Sequence, residues 1–118
     1  MERQYPAEDD IDKVSCRPDF GVLVYPAYLA DAKTGQLKED IKVTKDSPPM
    51  FFAHASDDPV TAETSVLLYL ALKRAKVPAE LHVFAEGGHG YGLRRTDKAV
   101  TGWPDLCEGW FKTMKLLK

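Results

Sequence analysis

Two carboxylates and one imidazole stand where this chain could do chemistry: Asp57 and Asp58 in "HASDDPV", and His89 in "EGGHGYG". An aspartate hydrogen-bonded to a neutral histidine fixes the ring's tautomer and stabilises the imidazolium formed when the ring takes a proton, so such a pair is a general base. Glycines on both sides of His89 remove bulk near the ring and permit backbone angles that other residues avoid. Of the two acids, Asp58 is favoured, because Pro59 biases it toward an extended conformation at the exit of the preceding segment. Plainer uses exist for each: either aspartate can turn the chain or favour a helix N-terminus, and His89 can be an ordinary loop residue. His54 reads as a strand residue satisfied by local hydrogen bonds, and His82 as pointing outward from an edge strand. No HExxH or similar spacing joins the histidines to the acids, so no metal is expected. "GGHGYG" is a weak phosphate loop, since no clear helix start follows it, and no cofactor is expected.

Which elements would bring an acid near 58 and a base near 89 together? "DFGVLVYP" (19–26) and "MFFAHAS" (50–56) are apolar runs with the character of strands buried on both faces, and "AELHVFA" (79–85) is a third, partly alternating strand. Between the last two, "TAETSVLLYLALKRAK" predicts a helix from Thr61 to about Lys76. Its apolar face is read as Val66, Leu70 and Val77, with Leu67 and Ala71 beside it, and its charges suit the helix dipole at both ends. A strand of about 23 Å and a helix of about 24 Å match in length, so the helix returns the chain to the same end of the sheet. The strands at 50 and 79 should then be parallel, adjacent and joined by a right-handed crossover, which makes the class α/β. Parallel sheets of this kind place their sites at the carboxyl ends of the strands, where both "HASDDPV" and "AEGGHGYG" begin their loops. Neighbouring strands lie about 4.8 Å apart, close enough for acid and imidazole to meet.

The remaining segments frame this unit. Residues 1–18 carry five acidic groups and two prolines with little periodicity and read as an irregular arm. A polar connection with a turn at Thr34-Gly35 spans 27–49. The final segment, 102–118, spaces Trp103, Leu106, Trp110, Met114 and Leu117 by three and four residues, as an amphipathic helix does. Cys16 and Cys107 lie far apart with no metal-type spacing and read as free, partly buried thiols, with a disulfide between them left open.

Composition narrows the partners. The chain has 118 residues, 44% hydrophobic and 29% charged, with a net charge of -2, which describes one globular domain or part of a larger one. Its basic residues are scattered, so no footprint for nucleic acid or anionic lipid is present. The longest strongly apolar run, Val66 to Leu72, falls far short of the roughly 20 residues a membrane span needs. No apolar leader follows Met1, and localisation stays open.

Three stretches, "RPDFGVLVYPAYL", "PPMFFAHASDDPV" and "PAELHVFAEGGHGYGL", together resemble the C-terminal half of an α/β-hydrolase, closest to the acetyl xylan esterases and dienelactone-hydrolase-like esterases. The similarity runs from about residue 5 to the end. His54, Ala55, Ser56, Asp57 and Asp58 occupy that family's H-G-x-x-D pattern, with Ala55 in place of the usual glycine. The resemblance implies a partial α/β-hydrolase fold, with the three strands as the sixth to eighth of eight, Asp58 as the acid of a Ser-Asp-His triad and His89 as its base. It implies a small ester or acylated carbohydrate as substrate. Tyr25 and Tyr28, after the first strand, are weaker candidates for the substrate side.

A serine hydrolase of this fold also needs a G-x-S-x-G elbow, and Ser15, Ser47, Ser56 and Ser65 all lack that glycine setting. In the family the serine precedes the acid, so the elbow and the oxyanion loop are expected upstream of Met1. Alone, the chain is expected to be inactive: a fragment, a truncated product or one half of an assembly. The strand at 19–26 would then be an open edge, to be covered by self-association or by pairing with the other half. The competing reading is a non-catalytic α/β interaction or oligomerisation domain that inherited the acid and histidine from a hydrolase.

Overall fold

The computed structural model of the chain describes residue 10 and residues 17–117. The expected arm at 1–18, with Cys16 in it, therefore lies almost wholly outside the described residues.

Three strands, β1 (Gly21–Val24), β2 (Met50–Ala55) and β3 (Ala79–Phe84), form one parallel sheet in the order β1-β2-β3. Helix α1 (Glu63–Arg74) connects β2 to β3, as their lengths require, and α2 (Trp103–Thr113) closes the chain after a short 3₁₀ turn, Ala99–Gly102. The register sets Gly21, Met50 and Ala79 side by side at one end, and Ala55 opposite Phe84 at the other. Both candidate loops therefore leave the sheet at the same rim.

β2 is the middle strand, and Phe51 through Ala55 are all fully buried. Alternation splits them between two faces. Phe51 and Ala53 pack with Cys107 and Trp110 of α2, while Phe52 packs with Leu68 and Leu72 of α1 and with Val77. Burial pushes the Cys107 thiol upward, as suits a free core cysteine.

Several sequence expectations are corrected here. α1 buries Thr64, Ser65, Leu68 and Leu72, while Val66 is 42% exposed. The buried stripe is a helical one, but its first turn is polar, because Thr64 Oγ1 donates to the Pro26 carbonyl and Ser65 Oγ bonds His54. On α2, Cys107 and Trp110 face the core, whereas Leu106 lies beside that stripe and is exposed, as is Leu117, since the helix stops at Thr113 and the chain turns at Lys115 with a positive φ. β1 is shorter than 19–26 and is not buried on both faces: Val22 is 37% exposed, and Tyr25, at φ 40°, ends the strand. The polar connection turns at Gly35 as expected, but its Leu29, Leu37, Ile41 and Val43 pack onto the α1-side core. His82 does lie on an edge strand among the described residues and is part-exposed, but its ring rests beside Phe51 and its Nε2 bonds Glu80 at 2.8 Å.

Candidate active site

The rim at the carboxyl ends of β2 and β3 is built by two loops that hold each other. After β2, Asp57 and Asp58 enter a turn, and Asp58 Oδ1 accepts the backbone N–H of Val60 at 2.7 Å. This local bond fixes the Asp58 carboxylate just before α1 begins. After β3, the glycine loop runs through left-handed backbone angles. Gly88, at φ 67°, turns its N–H onto Asp57 Oδ1 at 2.8 Å. That donor holds the Asp57 carboxyl below the usual carboxylate range. Gly87 is required by space instead, because a Cβ there would meet Val100 Cγ1 at 2.6 Å.

Held in this way, the loop presents His89 to Asp58. His89 Nδ1 lies 2.8 Å from Asp58 Oδ2, with the carboxylate fully buried and the imidazole 41% exposed. An ionised carboxylate only accepts, so Nδ1 carries the proton and Nε2 is the basic nitrogen. Among the described residues no group bonds Nε2. The ring of Tyr25 lies against that of His89, with centroids 4.3 Å apart, and meets Tyr91 edge-on at 5.0 Å. Tyr28 does not join them; it is 84% exposed, beneath the Lys38 ammonium. A cavity of about 410 Å³ opens beside His89, lined by Tyr91, Arg94, Lys98 and Val100 among others. Among the described residues, no three or more His, Cys, Asp or Glu side chains are arranged to hold a metal ion.

Of the residues singled out from sequence, Asp58, His89 and Tyr25 converge. Four further residues take part: Asp57 and His54 were read from the sequence, though without these roles, and Ser65 and Tyr91 were not. Asp57 anchors the histidine loop, a role that its place after a strand does not distinguish from turn-making. His54 and Ser65 stand behind Asp58; His54 is the hydrogen-bonded strand histidine expected from sequence, and the only trace of Ser65 there is a polar pair, Thr64-Ser65, in phase with Leu68 and Leu72. Tyr91 buries a hydroxyl that has no partner among the described residues.

A buried acid bonded to an imidazole whose Nε2 has no partner among the described residues is an arrangement able to take a proton from a hydroxyl placed before it. No protein-family model matches the chain, and no curated protein does. Solved structures do. The acetyl ester-xyloside bifunctional hydrolase from Caldicellulosiruptor lactoaceticus is 35% identical, with a TM-score of 0.81 over 95% of this chain and 48% of that one. An α/β-hydrolase enzyme from a Medee basin deep-sea metagenome library is 30% identical, with a TM-score of 0.71 over 86% of this chain and 46% of the other. A carboxylesterase from Lactobacillus plantarum WCFS1 shares the fold at 22% identity and a TM-score of 0.67, over 85% of this chain and 46% of its own. The chain thus spans about half the length of the structures it matches. The chain has the fold of the C-terminal half of an α/β-hydrolase.

Proposed function

We propose that this chain supplies the acid, Asp58, and the base, His89, of a serine hydrolase acting on carboxylic esters. The observation that carries this reading is the 2.8 Å bond between His89 Nδ1 and a fully buried Asp58 Oδ2, which leaves Nε2 for a nucleophile. The nucleophilic serine and the oxyanion donors come from the half of the fold that these residues do not span, because none of the four serines here has the glycine setting of an elbow. His89 Nε2 takes the serine proton during attack on the ester carbonyl and returns it to the leaving alcohol, while Asp58 stabilises the imidazolium between the two steps. The acetyl ester-xyloside hydrolase among the similar structures favours a small acyl ester, such as an acetylated carbohydrate, as substrate. Tyr25, against the His89 ring, is placed to wall one side of the site.

The test joins this chain to the half of the Caldicellulosiruptor hydrolase that it does not match and measures p-nitrophenyl acetate hydrolysis. The chain alone is expected to be inactive and the joined protein active. His89→Ala should then lower kcat by about a hundredfold or more, and Asp58→Asn by a comparable factor with KM little changed. Activity that survives His89→Ala overturns the assignment. A joined protein that folds and associates but hydrolyses nothing favours the non-catalytic interaction domain instead.

A further inference from the structure

A second imidazole lies behind the acid. His54, at the end of β2, is completely buried, and its Nε2 is 3.2 Å from Asp58 Oδ2, the same oxygen that His89 approaches from outside. Its Nε2 also lies 2.9 Å from the Val60 carbonyl, and its Nδ1 lies 2.8 Å from Ser65 Oγ in the first turn of α1. Both neighbours of Nε2 are acceptors, so Nε2 carries a proton. In the neutral ring the Ser65 hydroxyl then donates to Nδ1. An apolar side chain would fill the same volume without the cost of burying a polar ring, which this site offsets by giving each nitrogen a partner.

We propose that His54, oriented by Ser65, is a positioning residue for the acid. The Val60 N–H holds Asp58 Oδ1, while the His54 Nε2–H donates to the Val60 carbonyl and its nitrogen stands 3.2 Å from Oδ2. The buried ring thus pins the Val60 backbone that grips the carboxylate and backs Oδ2 against rotation away from His89. Neither His54 nor Ser65 reaches the reacting atoms; both act through Asp58. The inference rests on reading Asp58 and His89 as an acid–base pair, and it adds an internal device that sets the geometry of that pair.

Proton NMR on the chain itself tests this without any nucleophile. An imidazole N–H held by a carboxylate and slow to exchange resonates at low field, and the His89 Nδ1 signal is assigned by its loss in His89→Gln. His54→Leu should abolish that signal while the sheet and helices persist by circular dichroism. His54→Gln, whose amide nitrogen can stand in for Nε2, should retain it. Ser65→Ala, which leaves His54 in place, should broaden it through faster exchange, and this variant decides the matter if His54→Leu fails to fold. A His89 signal in Ser65→Ala that matches the unaltered chain in position and exchange rate overturns the role given to His54 while leaving the acid–base pair standing. Absence of the signal from the unaltered chain removes both.

Discussion

Tyr91 carries the clearest energetic conflict beside the site. Its hydroxyl is buried without a partner among the described residues, and burial, with smaller contributions from Tyr25 and Asp58, pushes its phenol up to about 12 from an ordinary 10.0. A folded state that favours the neutral phenol gains nothing from it below the unfolded pKa that is not already fully present, and it loses that contribution as pH rises from about 10 toward about 12. Tyr91→Phe keeps the ring that meets Tyr25 and removes the unsatisfied oxygen. It should stabilise the chain by about 1 kcal/mol at neutral pH, and the advantage should widen near pH 11. Urea unfolding of both proteins at the two pH values checks this. A phenylalanine variant that is the less stable at neutral pH would mean that the hydroxyl has a partner after all.

Both helices end on the same device at the level of elements. The Lys76 N–H donates to Lys73 and the Val77 N–H to Leu72, with Lys76 at φ 63° between them; Lys115 and Leu116 repeat the pattern on α2 with φ 59° at Lys115. These are Schellman ends in which lysine occupies the left-handed position usually given to glycine. Val77 then folds back onto Leu72, which is why it is buried although it lies outside the helix. Lys76→Gly removes the Cβ penalty at a solvent-exposed site and should raise stability by about 0.5–1 kcal/mol, after allowing for the freer unfolded chain. Thermal unfolding reads the gain, and a lowered Tm would show that the lysine side chain contributes more than its backbone angle costs. The same elements show what could be read beforehand. β2 was legible because a fully buried strand is mostly apolar and β3 because it partly alternates, and the helix between them set their direction, so the rim carrying Asp58 and His89 followed. The phase of α1 was not legible, since hydropathy treats Thr64 and Ser65 as solvent-facing, whereas here they are buried with Pro26 and His54 as partners. The ends of both helices were overrun for a related reason: a lysine in the left-handed conformation carries no signal in its residue type.

For the molecule as a whole, the uncovered side of the sheet has the largest consequence. Among the described residues no strand pairs with the outer edge of β1, and beside it Val22, Trp103, Pro104, Cys107, Phe111 and Leu117 line an apolar groove of about 370 Å³. Phe20 packs edge-on against Trp110 and Phe111 but remains partly exposed. Unpaired backbone groups next to exposed apolar side chains favour pairing with another chain. We propose that the half of the α/β-hydrolase fold that these residues do not span covers this edge, and that a second copy of the chain takes its place when that half is absent. Sedimentation velocity should then show concentration-dependent association of the chain alone. Val22→Lys, which puts a charge beside the edge, should shift the equilibrium toward monomer. Because both partners would occupy one edge, adding the complementary half should dissolve the self-association as hydrolysis appears, with one stoichiometry governing both. Self-association that persists unchanged in the active complex would place the contact between copies on another face and leave β1 free of the role proposed for it.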